Sequence, residues 1–189
     1  MYLIFSLDTE DFITVESDEA VKFWAEIFLN YKVKASFNLV AERARVLRRR
    51  GRRDIINILK NHEINYHSNL HSVHPTFPEY LENRSWEDGV REVIKKEIGG
   101  LTDIREIFGK NPIAFMQPGS SGTPQVIYAM KLLGIPVMEW TPFVPNPKRI
   151  LPFWYCYSLH GLHWHFIFDK YYNLKKNRLS RMKEEFKKT

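Results

Sequence analysis

The stretch HEINYHSNLHSVHP, residues 62–75, holds four of the seven histidines of the chain. Imidazole nitrogens are common ligands of zinc and other divalent first-row metals. His67 and His71 are four residues apart, a spacing that places both rings on one face if the chain turns helically after the strand. The pair alone leaves two alternatives open, a metal site and an ordinary polar loop.

A second group of reactive side chains ends the first apolar run, in the segment SLDTEDF. Asp8 and Glu10 are two residues apart, so both point to the same side at the end of an extended strand. One carboxylate and the two histidines would form an N,N,O ligand set with open positions for water and substrate. The other carboxylate could accept a proton from that water during attack on a carbonyl, which is what hydrolysis requires.

Runs of strand length alternate with helical patterns through most of the chain. Strands are predicted at YLIFSLD, VKASFNLV, EINYH, PIAFMQP and GIPVMEW. The first helix is expected to have Ser17 or Asp18 as its N-cap, the second to run from Ala41 to about Asn61, the third to span roughly 86–108, and the fourth to open at Thr123 and Pro124. This alternation predicts an α/β fold with a mainly parallel sheet, open or closed as a barrel.

Ligands of parallel α/β proteins bind at the carboxyl ends of the strands. The predicted strand ends carry Asp8 and Glu10, then His67, then Gln117, Pro118 and Gly119. A later segment, YCYSLHGLHWHFIF, is expected to form one or two strands with a turn at Gly161. Its histidines at positions 160, 163 and 165 alternate with aromatic residues and are interpreted as ordinary strand or surface residues.

Composition bounds the function further. The 189 residues are expected to form one domain, and no segment has the roughly 20 continuous apolar residues of a membrane span. A single cysteine, Cys156, excludes an internal disulfide and a thiolate metal cluster. The N-terminus lacks the pattern of a signal peptide, so a cytoplasmic location is expected.

The net charge of +6 is concentrated in two segments, ERARVLRRRGRR and KKNRLSRMKEEFKK. Each is interpreted as a helix with a charged face in solvent, the second with an apolar face that docks. The alternative is binding of a polyanion, either nucleic acid or an acidic polysaccharide. Nucleic-acid binding depends on charge alone and is not expected.

Three motifs together resemble the polysaccharide deacetylases of carbohydrate esterase family 4, over about residues 3–140. SLDTEDF resembles the first motif of that family in its D-x-E form. NHEINYHSNLHS resembles the second motif, a strand that ends in H-S/T-x-x-H. FMQPGSSGTPQVIYAMKLLGI is similar to the third motif and the helix after it.

The resemblance implies a distorted (β/α) barrel and removal of N-acetyl or O-acetyl groups from carbohydrate with a divalent metal. Zinc is the expected metal, with nickel or cobalt as alternatives. It implies Asp8 as the catalytic base and Glu10, His67 and His71 as the metal ligands. Ser68 would brace the metal loop. Pro118 and Gly119 match the third motif, and Trp140, Phe143 and Trp154 near strand ends are expected contacts for a sugar.

Two departures from the family pattern affect the expected activity. Gln117 occupies the place of an arginine that orients the catalytic carboxylate, which removes a fixed positive charge beside Asp8. The last motif, a strand with a leucine and a histidine, is not evident before Thr189, so an incomplete barrel is expected. Its exposed sheet edge would argue for a partner subunit, as in a homo-oligomer, or for missing residues. The alternatives are a degenerate, carbohydrate-binding protein and a hydrolase of non-sugar C–N bonds.

Overall fold

The computed structural model describes residues 4–119, 122–139, 152–160, 180 and 183–184. The strands are β1 (Ser6–Thr9), β2 (Ser36–Leu39), β3 (Glu63–Tyr66), β4 (Ala114–Phe115), β5 (Val137–Met138), β6 (Phe153–Tyr155) and β7 (Ser158–His160). The helices are α1 (Glu16–Asn30), α2 (Ala41–Arg49), α3 (Arg53–Leu59), α4 (Phe77–Leu81), α5 (Trp86–Phe108) and α6 (Pro124–Leu132). None of the helices in these ranges is long and apolar enough to span a bilayer.

The strands form one sheet in the order β1-β2-β3-β4-β5-β7-β6. Every pairing between neighbours is parallel except that of β6 with β7. The predicted α/β fold with a mainly parallel sheet is therefore confirmed, and the sheet is not closed within the described residues.

The sheet is strongly curled although it is open. Ser6 lies in β1 and Glu139 directly follows β5, with three strands between them. In a flat sheet with strands about 4.8 Å apart, these two strands would be roughly 19 Å apart. Yet the Ser6 hydroxyl donates a hydrogen bond to Oε2 of Glu139 at 2.7 Å. The interior face of the sheet therefore wraps around a narrow polar centre, as in a distorted barrel.

The start of α1 differs from the prediction. Val15 is the N-cap residue, and Ser17 and Asp18 both lie inside the helix. The Ser17 hydroxyl donates to the backbone carbonyls of Asp11 and Thr14 instead of capping, at 3.0 and 2.9 Å. Asp18 is fully buried. The predicted N-cap is wrong because the Ser17 hydroxyl binds the preceding loop and the Asp18 carboxylate binds a side chain that is distant in sequence.

The single helix predicted from Ala41 to about Asn61 is wrong. The chain forms two helices, α2 and α3, separated by Gly51 with φ +68°. This left-handed conformation is easily adopted by glycine and ends an α-helix. The break turns the chain so that α3 leads into β3.

The arginine run on α2 and the turn after it forms ion pairs within the chain. Arg43 is fully buried and donates to Asp18, so the prediction that this segment simply exposes a solvated face is wrong for Arg43. Further pairs of this run are Arg45 with Glu42 and Asp103, Arg49 with Glu42, and Arg50 with Asp18. Much of its charge is therefore neutralised internally.

The late hairpin has a turn inside the segment YCYSLH, which the sequence predicts to be strand. The turn between β6 and β7 is formed by Cys156 and Tyr157, both in the left-handed region with φ of +47° and +61°. Trp154 lies exposed on β6. Positions predicted at Gly161, His163, His165, Trp140 and Phe143, and nearly all of the basic C-terminal segment, lie outside the described residues.

The long helix α5 begins and ends as its sequence predicts and packs against the sheet. Ser85 caps it by accepting a hydrogen bond from the N–H of Asp88 at 3.1 Å, and Gly109 ends it with φ +66°. Two adjacent glycines sit inside it. Gly99 faces open space, whereas a Cβ at Gly100 would lie 2.7 to 2.9 Å from atoms of Asn69, Tyr66 and Ala41. Close approach of α5 to the β3 end therefore depends on Gly100.

The two glycines supply a matched pair of substitutions. Gly99→Ala should raise the unfolding free energy by about 0.5–1 kcal/mol because alanine favours a helix, and the melting temperature by roughly 2–3 °C. Gly100→Ala should lower the unfolding free energy by about 1–3 kcal/mol because its methyl group overlaps buried neighbours. Thermal unfolding followed by circular dichroism measures both. Equal stabilisation by both substitutions would contradict the close packing at Gly100.

Candidate metal centre

Three side chains from two strand ends converge at the carboxyl edge of the sheet. Oε2 of Glu10, just after β1, lies 3.3 Å from Nε2 of His67 and 2.8 Å from Nε2 of His71, both after β3. Their ligand-type atoms all lie within 4.8 Å of one another. The residues that the sequence predicts as metal ligands are thus brought together, although β2 separates their strands.

The loop that carries the histidines is not helical, so the predicted reason for their approach is wrong. Ser68 and His71 have positive φ values of 68° and 55°. The Ser68 hydroxyl oxygen accepts a hydrogen bond from the N–H of His71 at 2.9 Å, which holds the turn closed. The ring centroids of His67 and His71 are 4.8 Å apart as a result.

Backbone and hydroxyl groups orient the two rings. Nδ1 of His67 lies 2.7 Å from the carbonyl oxygen of Met116, after β4, and therefore carries the proton in that hydrogen bond. Nδ1 of His71 lies 2.7 Å from the Ser72 hydroxyl. Each ring consequently turns Nε2 toward Glu10. Such outer partners fix the tautomer of metal-binding histidines.

The electrostatics of the three side chains favour a cation among them. Hydrogen bonds to His67 and His71 hold the pKa of Glu10 well below its usual range. Burial opposes protonation of His67, but the hydrogen bond to Glu10 and the charge of Asp8 raise its pKa overall. A neutral His67 with its proton on Nδ1 would point a lone pair at a carboxylate. A proton or a metal ion between them removes this repulsion, so the donor set fits a divalent metal such as zinc.

Asp8 lies beside this centre and contacts Asn38, which the sequence analysis does not predict as a site residue. It is exposed, and its Oδ1 accepts a hydrogen bond from Nδ2 of Asn38 at 2.9 Å. Gln117 is buried, and its amide donates to the Gly119 carbonyl at 3.4 Å rather than to Asp8. A Cβ at Gly122 would overlap the Gln117 amide, so this turn closes around Gln117.

The two other residues predicted to bind substrate lie on the same turn with different exposure. Pro118 is buried, whereas Gly119 is exposed and has φ +53°. Gly119 is thus the one of the two whose backbone reaches solvent at this edge of the sheet. The left-handed conformation explains why a glycine occupies the position.

A row of polar side chains beneath the centre was also missed. Asn38 pairs in register with Asp8 on one side and Asn65 on the other, and Glu139 reaches the row from the end of β5. Burial raises the pKa of Glu139, although hydrogen bonds from Ser6 and Asn38 lower it, and the charge of Asp8 raises it further. An asparagine at the same register in two apolar strands was the available clue in the sequence.

The other described histidines have separate roles. His62 is fully buried; its Nδ1 accepts from the N–H of Ala35 at 3.4 Å, and its Nε2 donates to the Ala25 carbonyl at 3.0 Å. His74 is exposed and pairs with Glu79 at 2.8 Å. His160 is buried on β7. None of these three joins the Glu10 cluster.

Comparison with solved structures gives the fold. A mutant of a Bacillus anthracis pseudoenzyme of carbohydrate esterase family 4, with restored enzymatic activity, is similar over 72% of this chain and 43% of its own, with 18% identity and a TM-score of 0.53. A Mycobacterium smegmatis protein assigned as a polysaccharide deacetylase gives 18% identity over 72% of this chain and 49% of its own, with a TM-score of 0.51.

The chain has the fold of the family 4 polysaccharide deacetylases. It spans less than half the length of these two structures. A 4-alpha-glucanotransferase from Thermococcus litoralis is also similar, with 12% identity over 79% of this chain and 24% of its own and a TM-score of 0.56, so the fold alone does not fix the activity. No protein-family model and no curated protein matches the sequence.

The histidine loop is tied to α5 by a buried acid. The Glu97 carboxylate accepts hydrogen bonds from the Tyr66 hydroxyl and from the N–H of Asn69, both at 2.8 Å. The side chain of Asn69 donates to the Lys96 carbonyl and accepts from Arg45, both at 2.8 Å. Burial raises the pKa of Glu97 to about 7 against the hydrogen bonds that lower it.

Glu97 predicts a pH dependence of stability. The folded protein keeps a proton that the unfolded chain loses above the ordinary value of 4.5, so stability is full below pH 4.5 and falls as pH rises to about 7. Glu97→Gln should remove this dependence because its amide is neutral. Relative to the variant, the wild type should lose about 1–3 kcal/mol between pH 5 and 8 in urea unfolding.

The matched control is Glu106→Gln, which changes an exposed carboxylate on the same helix. It should keep the pH dependence of the wild type. Parallel pH profiles for the wild type and Glu97→Gln would refute the role of Glu97.

Proposed function

We propose that the protein is a metal-dependent hydrolase that removes acetyl groups from N-acetylated or O-acetylated carbohydrate. The observation that carries the proposal is the convergence of Glu10, His67 and His71 at the carboxyl edge of the sheet, with Asp8 beside them. The fold supports the same reaction class. Zinc suits this N,N,O donor set best, with nickel or cobalt as alternatives.

The side chains divide the work of hydrolysis. Glu10, His67 and His71 would hold the metal, which when bound acts as a Lewis acid and makes water more acidic. Asp8 would accept the proton of the attacking water, with Asn38 bound to its Oδ1. Backbone N–H groups near the exposed Gly119 are the proposed donors to the oxygen that gains negative charge.

A second candidate is a non-catalytic protein that binds carbohydrate through the same fold. The observation in its favour is Gln117, whose amide turns to its own loop and supplies no positive charge to Asp8. One of the structurally similar proteins is itself described as a pseudoenzyme in which a mutation restored activity. Metal content and acetate release separate the two candidates.

Metal binding should depend on the two predicted histidine ligands. Protein purified from zinc-replete medium should contain about one equivalent of metal by elemental analysis, and the His67→Ala/His71→Ala double variant should contain less than a tenth of that. His74→Ala is the control, because His74 is exposed and pairs with Glu79. Metal-free wild-type protein would overturn the proposed site.

Asp8 should be needed for turnover but not for metal binding. Asp8→Asn should lower the rate of acetate release from chito-oligosaccharides or acetylated xylan by about 100- to 10,000-fold while metal content stays unchanged. Asp54→Asn, at a surface carboxylate paired with Arg52 and Lys22, should leave the rate unchanged. A metal-loaded wild type that binds these sugars without releasing acetate would support the non-catalytic candidate.

A further inference from the structure

The position of Asp8 depends on interior side chains that belong to neighbouring strands. Asn38, fully buried in β2, places its Nδ2 2.9 Å from Oδ1 of Asp8. The same Nδ2 lies 2.9 Å from the Ser6 hydroxyl oxygen and 3.1 Å from Oε2 of Glu139. One amide nitrogen therefore faces three oxygens, two of them from carboxyl groups.

Charge fixes which end of the Asn38 amide faces Asp8. A flip would bring the carbonyl oxygen of Asn38 against the oxygens of Asp8 and Glu139, and these would repel it. The orientation with Nδ2 toward both acids leaves Oδ1 of Asn38 without a hydrogen-bond partner among the described residues. An unpartnered buried acceptor is costly, so the contact with the acids must outweigh this cost.

Glu139 is held in turn by the strands around it. Its Oε2 accepts hydrogen bonds from Ser6 at 2.7 Å and from Asn38, and its Oε1 accepts one from Asn65. These contacts join β1, β2, β3 and the end of β5. Glu139 thus accepts from the same amide nitrogen of Asn38 that donates to Asp8 and holds that nitrogen in place.

We propose that Asn38, held by Glu139, is the positioning residue for Asp8. This inference rests on the proposed function, in which Asp8 is the base. The Asn38 amide orients the Asp8 carboxylate through a hydrogen bond and brings no full positive charge. Gln117 forms no hydrogen bond with Asp8, because its amide donates to the Gly119 carbonyl. Asp8 keeps its Oδ2 free of hydrogen bonds to the described residues, available for a proton from water.

Asn38→Leu tests the inference because leucine has a similar volume and suits a buried strand, so the variant should fold. It should lower kcat about 10- to 100-fold, the cost of a misplaced catalytic group, with KM changed less than 3-fold and metal content unchanged. Asn57→Leu, at an exposed asparagine on α3, is the matched control and should keep the wild-type kcat. A wild-type kcat in Asn38→Leu would overturn the inference.

A double-mutant cycle separates positioning from general damage. If Asn38 acts through Asp8, adding Asn38→Leu to Asp8→Asn should lower the residual rate less than 3-fold. A further drop as large as that in the wild-type background would show that Asn38 acts independently of Asp8, and would contradict the inference. Glu139→Gln, which keeps an acceptor for Asn38, should lower kcat less than Glu139→Leu.

A crystallographic readout does not need activity. In the zinc-soaked wild type, Asp8 should occupy one conformer with Oδ1 within hydrogen-bond distance of Nδ2 of Asn38, and in Asn38→Leu it should adopt several conformers. If the wild type releases no acetate but this contrast is seen, the proposed function fails and the positioning role stands. If Asp8 is equally ordered in both proteins, the positioning role fails whatever the activity.

Discussion

The approach of two histidine nitrogens to one carboxylate oxygen is the interaction on which the organisation of this protein depends. Glu10 follows β1 and His67 follows β3, so both strands must end at the same edge of the sheet although β2 lies between them. The carbonyl oxygen of Met116, after β4, must then orient the His67 ring by a hydrogen bond to its Nδ1. Three parallel crossovers and a curled sheet satisfy these conditions together. The helices α2, α3 and α5 pack against this sheet and so stabilise the strand ends that carry the polar atoms of the centre.

The same centre explains why the interior is polar where a barrel usually packs apolar side chains. Asn38, Asn65 and Glu139 fill the space under the candidate metal centre with hydrogen bonds. Side chains from β1 and from the end of β5 meet there, so the polar contacts also curl the open sheet. Burial of Glu139 and Glu97 raises their pKa values. Keeping either carboxyl group charged close to the centre therefore costs free energy.

Much of this could be predicted from the sequence because the governing patterns are local. The strand and helix periods indicated a parallel α/β fold, and α5 matched its predicted span because Ser85 and Gly109 mark its ends. The grouping of Glu10, His67 and His71 followed from the rule that parallel strands end at one edge. Whether these residues bind metal remains a prediction.

What the sequence could not reveal arises from contacts between distant residues. Asp18 is buried against Arg43, so it lies inside α1 and the helix begins earlier than predicted. No local sequence pattern indicates such a pair. The positive φ of Ser68 and His71 replaced the expected helical turn. Asn38 and Glu139 are 101 positions apart, and only the curl of the sheet makes them neighbours.

The most direct measurement is a crystal structure of the protein grown with zinc, with diffraction data collected on both sides of the zinc absorption edge. One anomalous peak is predicted about 2.0–2.2 Å from a carboxylate oxygen of Glu10 and from Nε2 of His67 and His71. No peak among these three atoms at saturating zinc, or a peak elsewhere with Glu10 still bonded to both rings, would contradict the assignment of a metal centre.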